Sequence, residues 1–182
     1  MAVSAVICLD KDGTLIEDVP DNVDPRRIRL RSDAPRALRR LHRSGFRLVV
    51  VTNQPGVARG TFAEAALAGV EERLRELCAR ADAPLAGFYY CPHDAVAACD
   101  CRKPRPGLVD RALREQAADA ARSWLIGDIL DDVEAGTRAG CRSLLLDVGN
   151  ETEWTDGPHR RPYATVSSLV EAAELIVGEG SA

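Results

Sequence analysis

Aromatic residues are scarce in this chain, at 4% of its 182 positions, which argues against the stacking platforms that hold single-stranded nucleic acids. An excess of positive charge is missing too: 24 basic against 28 acidic residues leave a formal charge of −4. That balance gives no reason to expect nucleic acid as a partner, while an anionic small molecule stays compatible with it. No apolar run approaches the roughly 20 residues that cross a bilayer. The stretch from Met1 to Asp10 carries no basic leader and ends on an acid, so a cytoplasmic protein without a membrane partner is expected. The 6 cysteines are too few for a disulfide scaffold at this length. Repeats, low-complexity tracts and domain boundaries are also lacking.

What is present is the mixture of a soluble globular protein, 46% hydrophobic and 29% charged. A chain of this size can bury about 70% of what it exposes when unfolded. One domain spanning residues 1–182, acting as a monomer, is the expectation.

Strand-like and helix-like segments alternate. Val6 to Leu9 form an apolar run that ends at Asp10, and Gly13 breaks it. From a cap at Ser32 or Asp33, with Pro35 in the first turn, Ala37, Leu38 and Leu41 recur at helical spacing until Gly45. Phe46 to Val51 reads as a second strand whose Val49-Val50-Val51 run is β-branched and apolar on both faces, as a strand buried between two helical layers should be. Thr61-Phe62-Ala63-Glu64 reads as a capping box opening a helix with Leu67, Val70, Leu74 and Leu77 on one side. Phe88 to Cys91 is a short strand, about Pro106 to Ala118 a helix, and Trp124 to Ile126 a strand leading into Gly127-Asp128. A short helix to Gly140, a strand Ser143 to Leu146 and a helix Ser168 to Val177 complete the pattern, with Asn150 to Pro162 a polar surface loop. This order predicts an α/β fold, a doubly wound and mostly parallel sheet of Rossmann-like type. No segment is long enough for a large cap domain.

In such sheets ligands sit outside the carboxyl ends of the strands. Those ends hold Asp10-Lys11-Asp12-Gly13-Thr14, Thr52-Asn53, Arg102-Lys103 and Asp128. Each piece alone has a plainer reading. Asp12-Gly13 is a turn signal, Thr52-Asn53 suits a loop, Lys103 suits a solvated cation, and Asp128 suits a helix cap. Together they place carboxylates, donors and a cation in one crevice. Carboxylates packed so closely repel unless a cation intervenes, and a hard divalent ion such as Mg²⁺ prefers such oxygen ligands. An aspartate can act as a covalent phosphoryl acceptor, and a second can move protons.

A second cluster lies upstream of Lys103. Cys91-Pro92-His93, followed by Cys99-Asp100-Cys101, supplies three thiolates and one imidazole, the ligand set of a closed structural Zn²⁺ site at about residues 91–101. Three incidental buried thiols and a surface histidine are the alternative, a description that fits Cys8, Cys78 and Cys141 well.

The four groups Asp10-Lys11-Asp12-Gly13-Thr14, Thr52-Asn53, Lys103-Pro104 and Gly127-Asp128 with Asp131 and Asp132 resemble, in order and spacing, the four motifs of the haloacid dehalogenase superfamily of phosphatases. That resemblance runs from Ile7 to about Leu146. It implies Asp10 as nucleophile, Asp12 as general acid and base, and Thr52 and Lys103 as phosphate-binding residues. It also implies Mg²⁺ held by Asp128 with the Asp10 carboxylate and the Asp12 carbonyl. The Cys-Pro-His and Cys-x-Cys-Arg-Lys-Pro segments look like the zinc-bearing branch of that superfamily. Within that branch, Thr52 to Gly60 and Arg102 to Gly107 favour removal of the C7 phosphate from a heptose bisphosphate, with histidinol phosphate the alternative substrate. A receiver-like module that signals through a phosphorylated aspartate is the reading from another class. Thr52, Asn53, Gln54, Arg59, Arg102 and Lys103 then form the expected substrate-binding set, with Arg59 and Arg102 gripping a second phosphate or sugar hydroxyls through their guanidinium forks.

Overall fold

Six strands, β1 (Val6–Leu9), β2 (Arg47–Asn53), β3 (Leu85–Cys91), β4 (Trp124–Gly127), β5 (Arg142–Leu146) and β6 (Ala164–Val166), alternate with five helices in the computed structural model. The helices are α1 (Ala34–Arg43), α2 (Ala66–Arg80), α3 (Gly107–Glu115), α4 (Leu130–Arg138) and α5 (Leu169–Glu179). The structure describes residues 4–180. Every strand pair is parallel, and the order across the sheet is β3-β2-β1-β4-β5-β6. The order reverses beside β1, which opens a crevice beyond the ends of β1 and β4. No large cap interrupts the described residues, in agreement with the doubly wound expectation.

Period-two alternation of the strands builds the two layers. Ile7, Leu9, Leu48, Val50 and Ile126 face one way and meet apolar residues of α1, α2 and α5. Val6, Cys8, Val49, Val51 and Leu125 face the other way and meet Leu108, Val109, Ala112 and Leu113 of α3 with Ala135 of α4. Because both faces are covered, the central strands are apolar throughout, and the polar residues collect at their ends. Cys8 and Cys141 belong to one layer and Cys78 to the other, as small apolar side chains.

Several boundaries differ from the sequence reading. The helix expected to open at Thr61 begins at Ala66 instead. The Thr61 N–H is taken by the Gly56 carbonyl at 2.8 Å and Glu64 accepts from the Tyr90 hydroxyl at 2.9 Å, so the half of a capping box in which Glu64 would accept the Thr61 N–H does not form. Asp33 makes no cap bond to α1. Its Oδ2 accepts from the Leu169 N–H at 2.7 Å, tying the start of α5 to the start of α1. The β3 strand begins at Leu85 rather than Phe88, and β2 begins at Arg47 and runs on through Asn53. The α3 helix stops at Glu115, and Ala117 turns left-handed with φ 46°. Within the loop expected from Asn150 to Pro162 no strand or helix forms, but β6 follows it on the sheet edge and was not foreseen.

Candidate active site

Asp10 directly follows β1 and Asp128 directly follows β4, so the parallel pairing of these two strands brings both carboxylates to one place. The Asp10 N–H continues that pairing by donating to the Ile126 carbonyl at 3.0 Å. Asp132, one helical turn beyond Asp128 at the start of α4, completes a buried triad, each member offering an oxygen within 4.8 Å of the others. Two glycines permit this crowding. A Cβ on Gly13, whose φ is +78°, would lie 2.2 Å from Asp128 Oδ2, and one on Gly127 would lie 2.2 Å from the Asp132 Cβ.

Lys103 enters from the far side of the sheet, held by a reciprocal clamp. The Asn53 side-chain amide donates to the Lys103 carbonyl at 3.1 Å, and the Lys103 N–H donates to Asn53 Oδ1 at 3.1 Å. Its ammonium, only 2% exposed as a residue, donates to Asp10 Oδ1 at 2.5 Å, to the Val51 carbonyl at 3.0 Å and to Asp132 Oδ1. Burial alone would push the Lys103 pKa down. Asp10 and Asp132 overrule it and hold the ammonium well above its ordinary value.

Three carboxylates against one ammonium leave a surplus of two negative charges if all are ionised. One divalent cation cancels that surplus, so the donor set fits the ion. The strain is visible in the carboxyls themselves. Burial, reinforced by Asp10, pushes Asp128 up to about 6, against hydrogen bonds from Asn150 and Thr14 that pull it down. Burial also pushes Asp132 up, with Lys103 opposing and Asp10 and Asp128 reinforcing.

Asp12 stands apart from the triad. Lys11 Nζ lies 3.0 Å from its Oδ1, and the Gln54 amide donates to its Oδ2 at 3.0 Å. The same amide donates to Thr52 Oγ1 at 3.0 Å, so Gln54 ties Asp12 to Thr52. Burial raises the Asp12 pKa, Lys11 opposes and Asp10 adds to it, so the proton is retained at higher pH than on an ordinary aspartate. Lys11 and Lys103 are the only lysines in the chain, and both are buried here.

A crevice of about 250 Å³ opens over these groups, lined by Asp10, Asp12, Thr52, Lys103, Asp128 and Asp132 together with Asn53, Asp18, Ile129 and Asn150. Among the sequence-derived residues, Gln54 touches this lining from behind. Arg59 is exposed and lies outside it, its N–H bonded to the Pro55 carbonyl at 3.0 Å. Arg102 also lies outside, donating to the His93 carbonyl at 3.3 Å. Asn150 escapes the sequence reading because it sits neither at a strand end nor in a recognisable motif. Asp131 points elsewhere and pairs with Arg160.

Cys91, His93, Cys99 and Cys101 converge within 4.8 Å of one another. Cys91 Sγ is 3.8 Å from Cys99 Sγ and 3.4 Å from His93 Nδ1, while Cys101 Sγ is 3.3 Å from His93 Nδ1 and 3.1 Å from Cys91 Sγ. Sulfurs around a tetrahedral zinc are about 3.8 Å apart, given Zn–S bonds of about 2.3 Å, while a disulfide would need about 2.05 Å. All six cysteines are free thiols. Burial pushes Cys91 up to about 12. For Cys99 burial works upward as well, but the Arg102 N–H and the neighbouring thiols bring it down to about 7. The start of the loop is stitched to the segment that follows β2. The Gln54 N–H donates to the Cys91 carbonyl at 2.8 Å, and the Ala58 N–H to the Pro92 carbonyl at 3.1 Å.

The fold and this site define a doubly wound α/β protein whose buried carboxylates and lysine meet at the switch point of the sheet. Comparison with known proteins sharpens the class. Residues 100–172 match the family model described as HAD-hydrolase-like. The protein named D-glycero-beta-D-manno-heptose-1,7-bisphosphate 7-phosphatase in Pasteurella multocida (strain Pm70) is 33% identical over 178 residues, 94% of this chain and 96% of that one. Its namesake in Escherichia coli (strain K12) is 37% identical over 147 residues, 77% of each chain. In three dimensions, the D,D-heptose 1,7-bisphosphate phosphatase from B. bronchiseptica, crystallised with magnesium and phosphate, superposes with a TM-score of 0.80 at 29% identity, covering 96% of this chain and 99% of the other. The chain belongs to the haloacid dehalogenase-like hydrolases and is a phosphoric monoester hydrolase of that family. No helix among the described residues is long and apolar enough to cross a membrane.

Proposed function

We propose that this phosphatase removes the C7 phosphate of D-glycero-D-manno-heptose 1,7-bisphosphate by way of a phosphoryl group carried on Asp10. The observation that carries the chemistry is the contact between Lys103 Nζ and Asp10 Oδ1, beside a carboxylate cluster with a surplus of two charges. The names of the relatives carry the substrate.

In this reading Asp10, Asp128 and the Asp12 carbonyl hold Mg²⁺. When bound, the ion neutralises the carboxylates and draws charge from a phosphate oxygen, which relieves the repulsion between two anions. An Asp10 carboxylate oxygen attacks phosphorus, and the sugar C7 oxygen leaves with a proton from Asp12, whose raised pKa suits an acid. Asp12 then takes a proton from the water that attacks the phosphoryl group, and free phosphate leaves with Asp10 restored. Lys103 and Thr52 bind the transferring phosphate, and Asp132 orients Lys103 through its own ion pair. Asn53 contributes by clamping the Lys103 backbone, and Gln54 by holding Asp12 against Thr52. Arg59 and Arg102, which lie outside the crevice lining, are assigned to the C1 phosphate or sugar hydroxyls.

Cys91, His93, Cys99 and Cys101 hold a structural Zn²⁺ in this reading, and pin the loop that delivers Arg102 and Lys103. The whole chain acts as one domain. Phosphate release measured across a panel of sugar bisphosphates and histidinol phosphate, with and without Mg²⁺, tests the assignment. Highest kcat/KM for the heptose bisphosphate with Mg²⁺ present is the expected result. A preference for histidinol phosphate would overturn the substrate, and turnover that ignores Mg²⁺ would overturn the mechanism.

A further inference from the structure

The polar stretch between β5 and β6 has no secondary structure of its own, and such a segment would ordinarily drift over the surface. Here it is fastened to α4 and to the crevice at separate points. Asn150 Nδ2 donates to Asp128 Oδ2 at 2.7 Å. Glu151 Oε2 accepts the N–H of Leu130, the first residue of α4, at 2.6 Å, and its Oε1 accepts the Glu153 N–H at 2.7 Å. Ten residues further on, Arg160 Nη1 bridges Asp131 at 3.1 Å and Glu134 at 2.9 Å, its side chain only 16% exposed.

These contacts converge on one consequence. Asp128 Oδ1 accepts from Thr14 Oγ1 at 3.0 Å while Oδ2 accepts from Asn150, so each oxygen has a donor from a different loop. A carboxylate bonded at both ends cannot rotate freely, and each oxygen keeps a lone pair for a further partner. Asn150 also lines the crevice, whereas Arg160 and Glu151 reach only the strap and α4. We propose that the 147–162 segment is a docked strap that aims the Asp128 carboxylate at the cation through Asn150, with Arg160 and Glu151 acting only by holding Asn150 in place. Asn150 is thus a positioning residue. The proposal rests on the reading of Asp10 and Asp128 as cation ligands.

The test measures Mg²⁺ binding by calorimetry, without substrate, for the unaltered chain, Asn150→Leu, Arg160→Ala and the double variant. Leucine keeps the branched shape of asparagine and removes its amide, and Asn150→Ala serves if the leucine variant melts early. Loss of a group that orients a metal ligand typically weakens affinity about 10-fold or more. Asn150→Leu should therefore raise the Mg²⁺ dissociation constant by roughly that factor, with Arg160→Ala giving a smaller rise. If Arg160 works only through Asn150, its substitution adds nothing in the Asn150→Leu background. Unchanged Mg²⁺ affinity in Asn150→Leu would overturn the proposal while leaving the cation reading intact. An Arg160→Ala effect undiminished in the double variant would overturn the strap as the route. Absence of Mg²⁺ binding in the unaltered chain would overturn both the cation reading and the strap.

Discussion

Lys103 Nζ donates to Asp10 Oδ1 at 2.5 Å although the two residues stand 93 positions apart. The contact joins the loop after β3 to the end of β1, and it determines much of what substitutions in this site should do.

Removing the cation from that contact leaves Asp10 and Asp132 buried without their partner. Breaking a buried pair on one side costs about 3–5 kcal/mol. Lys103→Met, which roughly preserves volume, is expected to lower the unfolding free energy by about that amount and to abolish turnover. Denaturant unfolding with and without Mg²⁺ checks it, and added Mg²⁺ should recover part of the loss.

Asp10→Asn removes one of the three carboxylates and the nucleophile together. The expected variant is folded, inactive, and at least as stable as the parent in the absence of divalent ions, since a like-charge contact has been relieved. Phosphate release and thermal melting measure both parts. Turnover comparable with the parent would remove Asp10 from the nucleophile's role.

Acid should weaken cation binding. Asp128 has its pKa pushed up to about 6 by burial and by Asp10, so protons compete with Mg²⁺ for it as the pH falls through that value. The linked stability has the opposite trend. From about pH 4 to about pH 6 the folded, cation-free protein retains a proton that the unfolded chain has released, so this group's contribution to stability falls as pH rises through that window. The melting shift produced by Mg²⁺ is therefore expected to be larger at pH 7.5 than at pH 5. Equal shifts at the two pH values would contradict the placement of Asp128 at the cation.

The cysteine cluster gives a chemical signature. Protein purified without added ions is expected to carry close to one equivalent of zinc, and stripping it should expose Cys91, Cys99 and Cys101 to a thiol reagent. Cys99, brought down to about 7, should react first among them, because the thiolate is the nucleophile. Less than half an equivalent of zinc would count against the site.

Much of the fold was legible because each strand carries its own local signature and the chain repeats the unit. The same regularity points to Asp10, Thr52 and Asp128 at strand ends and to Lys103 in the loop between β3 and α3. What sequence periodicity leaves out is the choice of distant partners. Asp33 has the character of an α1 cap, yet its carboxylate serves the Leu169 N–H on α5. Glu64 completes a capping-box pattern with Thr61, yet it serves Tyr90. Gln54 and Asn53 read as substrate donors, while their amides are engaged by Asp12, Thr52 and Lys103. Asn150 carries no signal at all, since its role arises only when β5 delivers the loop beside β4. The β6 strand, Ala164–Val166, is too short for alternation to register and depends on pairing with β5.

Reductive trapping of the enzyme during turnover reaches the core of this mechanism most directly. Acid quenching followed by borohydride converts an acyl phosphate to a primary alcohol, which peptide mass spectrometry can locate. The expected result is reduction at Asp10 alone, requiring both Mg²⁺ and a phosphorylated substrate. Reduction at Asp12 or Asp128 instead, or none at Asp10 under conditions of steady turnover, would contradict it.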